Sequence, residues 1–195
     1  MRSLVLVLLG TLAATATAAA APLPLVPTPI GIGRLYHPSA VNPTSARGEP
    51  LGGLRCVRSQ GRRIGVHLEL FARGRVVIVP AGVGVAPPLR SSGPYVVSGR
   101  CSYAVQTRAP TGVIEVAASS RLTLGAFFTV WGLPLGPRAL AGFRARPGEH
   151  VRAYVDGRSW KGDPRAIPLR RHTQVVLELG PFIPPHPTFR FAKGL

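Results

Sequence analysis

The stretch Val66-His67-Leu68-Glu69-Leu70-Phe71-Ala72-Arg73-Gly74-Arg75-Val76-Val77-Ile78-Val79 decides the fold. Val66, Leu68 and Leu70 fall on one side of an extended chain and His67, Glu69 and Phe71 on the other, the period of two that a β-strand imposes. Ala72-Arg73-Gly74 then turns the chain into the second apolar run, Arg75 to Val79, and the whole predicts a β-hairpin.

Working outward, Pro80, Pro87, Pro88 and Pro94 break the following stretch into loops, and Gly112 to Ala117 predicts a third strand. Leu124-Gly-Ala-Phe-Phe-Thr-Val-Trp131 places Leu124, Phe127, Phe128 and Trp131 at the i, i+3, i+4, i+7 spacing of one helical face. Thr123 is its expected cap, Gly132 its end, and Pro134 forbids extension; this is the one helix the sequence predicts. Val151 to Val155 alternates into the tight-turn signal Asp156-Gly157, and Gln174 to Leu179 puts Val175, Leu177 and Leu179 on one face. The tail after Gly180, with Pro181, Pro184, Pro185 and Pro187, reads as extended and irregular. The expectation is a single α+β domain over 51–195, a mainly antiparallel sheet packed on one short helix in a β-grasp-like order.

Upstream, residues 1–21 read as a secretory signal peptide: Arg2 is the positive start, Leu4 to Leu9 the apolar core, and Ala18 to Ala21 the small-residue exit, with cleavage after Ala18 to Ala20. Six strongly apolar residues are far short of the roughly 20 a spanning helix needs, so no membrane span is expected after cleavage. Residues 22–50 read as a Pro-rich linker or arm. An exported chain meets oxidising conditions, and its two cysteines, Cys56 and Cys101, are most simply read as one disulfide closing 45 residues.

Of the 195 residues, 24 are Lys or Arg and 7 Asp or Glu, a formal charge of +17 that loss of Arg2 takes to +16. All but Lys161 and Lys193 of the basic residues are Arg, a bias that a GC-rich coding sequence or a selected anion-binding surface would each produce. Either way the field attracts polyanions. For an exported protein the expected partner is an anionic cell-envelope polymer rather than nucleic acid.

Five motifs in order, His67 to Gly74, Pro80-Ala-Gly-Val-Gly-Val85, Thr111-Gly-Val-Ile114, Leu124 to Gly132 and Tyr154-Val-Asp-Gly157, resemble a family of uncharacterised exported proteins of bacteria and archaea. The resemblance covers about 140 residues and omits the Pro-rich arm. That family carries His-x-His-x-His-Leu, Leu-His-Thr-His-Asp and Gly-Val-Ile-His-Val-Glu runs, which together look like a metal site on alternating strand positions. Here the corresponding runs are Arg63-Ile-Gly65-Val-His67, Val105-Gln106-Thr107-Arg108-Ala109 and Gly112-Val-Ile-Glu115-Val-Ala117. Only His67 is retained, while Gln106, Arg108 and Glu115 stand for histidines and Ala109 and Ala117 for carboxylates.

The resemblance therefore implies a scaffold kept and a site degenerate, with His67, Gln106, Arg108 and Glu115 as its remnants. An Arg repels a metal ion and pairs with Glu115 if the segments meet, leaving a structural polar cluster or an anion pocket around Arg108. No metal and no cofactor are expected. His37, His150, His172 and His186 show no ligand spacing, Gly82-Val83-Gly84 marks a bend rather than a phosphate cradle, and no nucleophile elbow is present. The alternatives are a metal-binding protein built on His67 and an envelope-polymer hydrolase using Glu69 with Glu115. Phe127, Phe128 and Trp131 are expected in the core, and Trp160, beside Lys161, on the surface.

Overall fold

A computed structural model describes residues 33–39, 42–183 and 189–195. Residues 1–21, read as a signal peptide, and the first part of the arm lie outside those residues. The expected hairpin pairs strand β2 (Arg63–Ala72) with β3 (Arg75–Val77), and Arg73 and Gly74, at φ 52° and 68°, supply the two left-handed residues of its turn. Strand β1 (Arg34–Tyr36) adds to β3 in parallel. Further on come β4 (Val105–Thr107), β5 (Val113–Ala117), β6 (Arg152–Val155), β7 (Arg158–Trp160) and β8 (Gln174–Leu179). Asp156 and Gly157, at φ 50° and 77°, make the second tight turn between β6 and β7.

These strands form one mixed sheet of eight, with the path β1-β3-β2-β8-β6-β7. β2 and β8 lie side by side in parallel, and most of the remaining pairs are antiparallel. The other edge of β2 is shared: its first half, Arg63 to His67, pairs with β5, and its end pairs with β3. β4 then continues outward from β5. Smaller pairings join 85–86 to 101–102 and 90–92 to 95–98, the latter a hairpin in a stretch expected to be loop. A three-stranded sheet covers 135–144.

Among the described residues two α-helices occur where one was expected. Helix α2 (Leu124–Trp131) has the predicted bounds and ends on left-handed Gly132. Thr123 stands at its N-cap position without making the side-chain bond. The additional helix, α1 (Pro43–Arg47), is five residues long and capped by Asn42, whose side chain accepts from the backbone of Thr44 and Ser45. Its Asn-Pro start and Gly48 stop are local signals outweighed, in a reading by periodicity, by an arm rich in Pro and Ser. Together with β1, it makes the described part of the arm an integral piece of the fold.

The main core lies between α2 and the sheet face carrying Val66, Leu68, Leu70, Val175, Leu177 and Leu179. The opposite face is buried as well. There Phe71, Val76 and Ile78 receive Ile183, and the C-terminal residues lie across Gly65 and His67, so β2 is enclosed on both sides. Trp160 is half-buried against the core edge, not a free surface ring, and its indole N–H donates to the Asp163 carbonyl at 3.1 Å.

Candidate functional site

Cys56 and Cys101 are joined in a disulfide with Cα atoms 5.4 Å apart. It ties the segment before β2 to the one that leads into β4. The register then assembles three of the four candidate residues. Gln106 and Glu115 are direct cross-strand partners on β4 and β5, and Glu115 is also opposite Gly65 on β2. Gln106 Nε2 donates to Glu115 Oε2 at 2.9 Å, and Arg108 Nε donates to the same oxygen at 3.1 Å. Arg108 Nη1 also donates to the Val97 carbonyl at 2.9 Å.

Arg63 joins them. It alternates with Gly65 and so faces the same way as Glu115, with its Nε 3.9 Å from Glu115 Oε2. Its guanidinium also reaches Ser102 Oγ and the Tyr103 and Glu115 carbonyls. Burial pulls the Arg63 pKa down, the charge of Glu115 opposes that fall, and Arg108 adds to it. Two guanidiniums and an amide therefore surround one carboxylate, and the cluster keeps a net positive charge. Alternation on β2 was the sequence signal for Arg63, within a run read for its missing histidines.

His67 does not join this cluster. It lies two residues beyond Gly65, about 7 Å along the strand. Its Nε2 donates to the Thr111 carbonyl at 3.2 Å, and its ring stacks on Phe189 with centroids 3.9 Å apart. Its Nδ1 is 3.7 Å from Glu69 Oε1, and burial pushes the Glu69 carboxyl up to about 7. Glu69 sits four residues from Gly65, about 13 Å along the strand, which is beyond the separation of a glycosidase pair with Glu115. Ala109 and Ala117 are buried apolar residues. No group of three His, Cys, Asp or Glu side chains able to hold a metal ion occurs among the described residues.

Beside the cluster is a recess of about 90 Å³, lined by Arg58, Ser98, Ser102, Gln106 and Arg108 among others. At about 30 Å³ per water, that is room for one oxyanion group rather than a drug-sized molecule. Arg58 and Arg108 supply its charge, and the serines and Gln106 its hydrogen-bonding groups. Among the described residues no helix is long and apolar enough to cross a membrane. No family model, curated protein or solved structure matches the chain.

Proposed function

We propose that this chain is an exported, non-catalytic binding domain whose partner is an anionic cell-envelope polymer, gripped at the recess between Arg58 and Arg108. The observation that carries the reading is the arginine-lined recess next to a carboxylate that fewer positive charges would have neutralised. A fixed guanidinium offers oxyanions a planar fork of donors, and the wider field of a +17 chain supplies long-range attraction. The signal-like first 21 residues and the Cys56–Cys101 disulfide support export.

The same reading includes descent of the scaffold from the exported family its motifs resemble, with a histidine site that has degenerated. It also includes an α+β, β-grasp-like fold. Support for the latter is the strand order: the hairpin β2–β3, the antiparallel pair β4–β5, helix α2, the hairpin β6–β7, and then β8 inserted in parallel beside β2.

The test compares two charge-matched variants in binding to long-chain polyphosphate. Arg58→Ala with Arg108→Ala removes two charges from the recess, and Arg62→Ala with Arg170→Ala removes two exposed charges elsewhere. The recess pair is expected to weaken binding by roughly tenfold more than the control pair, since charge-assisted bonds contribute about 1.5–3 kcal/mol where bulk field contributes far less. Equal losses from both pairs would reduce the interaction to net charge and remove the recess from it.

A further inference from the structure

A second concentration of arginines lies at the far end of β2. That strand is ten residues long, so its hairpin end stands about 30 Å from Arg63 and the cluster beside the recess. The turn at Arg73-Gly74 meets the start of β1 there, since a Cβ on Gly33 would stand 2.6 Å from the Gly74 carbonyl oxygen. Register then sets Arg34 beside Arg75 on neighbouring strands, with the Arg75 guanidinium 5.8 Å from the centre of the Tyr36 ring. Tyr36 meets Phe143 edge to face at 4.9 Å, which brings the three-stranded sheet over 135–144 to this end. Arg73 Nη2 donates to the Arg144 carbonyl at 2.6 Å, and Arg138 Nη2 to the Arg146 carbonyl at 3.2 Å.

Arg34, Arg73, Arg75, Arg138, Arg144 and Arg146 therefore converge, and few carboxylates reach them. Glu149 pairs with Arg73 at 3.0 Å and accepts from the Arg146 backbone N–H at 2.8 Å, while the buried Glu178 nearby is taken by Arg152. Arg34, Arg144 and Arg146 are exposed, and their guanidiniums have no partner among the described residues. Like charges on paired strand positions repel, so Arg34 beside Arg75 lowers stability unless an anion from outside lies over them. Large apolar side chains are exposed at the same end. Leu35, beside Val76 in the register, is 58% exposed, and Phe182 is 62% exposed. Phe182 lies between Gly180, whose added Cβ would stand 3.4 Å from Arg73 Cα, and Ile183, which packs on the cluster of Phe71, Val76 and Ile78. A soluble polyanion engages the charge alone, whereas an anionic lipid surface takes up cations and apolar side chains together.

We infer that the hairpin end of the sheet is a docking surface for an anionic phospholipid membrane, with the arginines on the headgroups and Leu35 and Phe182 in the interfacial layer. Neither Arg58 nor Arg108 takes part, so this surface stands or falls independently of the recess.

The experiment uses the full chain with its disulfide intact and two kinds of vesicle, pure phosphatidylcholine and equal parts phosphatidylcholine and phosphatidylglycerol. Co-sedimentation should show binding at least roughly a hundredfold stronger on the anionic vesicles at low salt, and partition through the apolar run Leu4 to Leu9 would not distinguish the two. Arg34→Gln, Arg144→Gln and Arg146→Gln together should remove about a hundredfold of that binding, at roughly fivefold for each arginine near the surface. The charge-matched set Arg62→Gln, Arg121→Gln and Arg170→Gln, exposed elsewhere, should remove less than about tenfold. Leu35→Ser with Phe182→Ser should weaken vesicle binding by roughly tenfold and leave binding to polyphosphate unchanged. Phe182→Trp in a Trp160→Phe background reads insertion directly, because its emission should move to the blue on the anionic vesicles. Equal binding to the two vesicles or equal losses from the two arginine sets would overturn the inference. So would an emission unmoved by vesicles together with full binding of the Leu35 and Phe182 pair, which would assign the patch to a soluble polyanion.

Discussion

Replacing Glu115 with Gln should have two consequences of opposite sign. The carboxylate accepts from Gln106 and Arg108 and lies 3.9 Å from Arg63 Nε, with the Arg63 side chain 10% exposed and that of Arg108 44% exposed. Breaking a buried pair typically costs about 3–5 kcal/mol because a charge is stranded. Arg63 keeps three other acceptors and is not hydrogen-bonded to the carboxylate, so its share should fall to about 2 kcal/mol. The half-exposed Arg108 pair is screened and adds about 0.5 kcal/mol. The total, about 2–3 kcal/mol, corresponds to a melting-temperature fall of roughly 4–12 °C for a chain of this length. Binding should improve instead. One negative charge removed roughly 6 Å from a bound oxyanion, at an effective dielectric constant near 60, changes the energy by about 0.9 kcal/mol, or roughly fivefold tighter binding at low salt. The gain should fade as the screening length shortens. Denaturant unfolding and polyphosphate titration of Glu115→Gln measure both. Weaker polyphosphate binding would show that the carboxylate positions Arg108 for its ligand instead of neutralising it, and a stability loss below about 0.5 kcal/mol would show that Arg63 does not depend on it.

Cys56→Ala with Cys101→Ala opens a 45-residue loop and should cost about 4 kcal/mol by the chain-entropy argument, read from the denaturation midpoint; a loss under about 1 kcal/mol would refute that accounting. Glu69 gives a pH dependence. Its folded carboxyl is raised to about 7 from an ordinary 4.5, so its contribution is fully present below about pH 4.5 and is lost as pH rises through 7. Thermal melts in a His67→Gln background, which removes the imidazole beside the carboxyl, should show Glu69→Gln gaining on its parent between pH 5 and pH 8, and parallel curves would contradict the raised pKa. At Gly65 an added Cβ would stand 2.8 Å from Phe191 Cδ1 and 3.1 Å from Leu195 Cβ. The bulkier Gly65→Val should therefore lift residues 189–195 and speed their removal by carboxypeptidase, whereas an unchanged rate would mean that the tail accommodates the side chain.

The hairpins and α2 were legible because their signals are local: two left-handed residues between alternating runs, or one apolar stripe ended by Gly132. The parallel pairing of β2 with β8 was not, since Val175, Leu177 and Leu179 alternate identically whichever way the neighbouring strand runs. The candidate site divides along the same line. Gln106, Arg108 and Glu115 meet because β4 and β5 are adjacent in sequence and pair in register, so an Arg–Glu pairing between them could be followed across one turn. His67 was misplaced because its environment comes from Phe189, 122 residues downstream in a tail whose prolines read only as irregular chain. That tail is what allows a strand carrying His67 and Glu69 to be buried on both faces. Phe189 stacks on the imidazole while its N–H donates to Gln174 Oε1 at 2.8 Å, and His172 Nε2 meets the Leu195 carbonyl at 2.7 Å. A metal at His67 Nε2 would have to displace the Thr111 bond, which the arginine cluster two residues away leaves intact. The strand positions around Gly65 thus carry guanidiniums about one carboxylate, and His67 belongs to the packing of the tail.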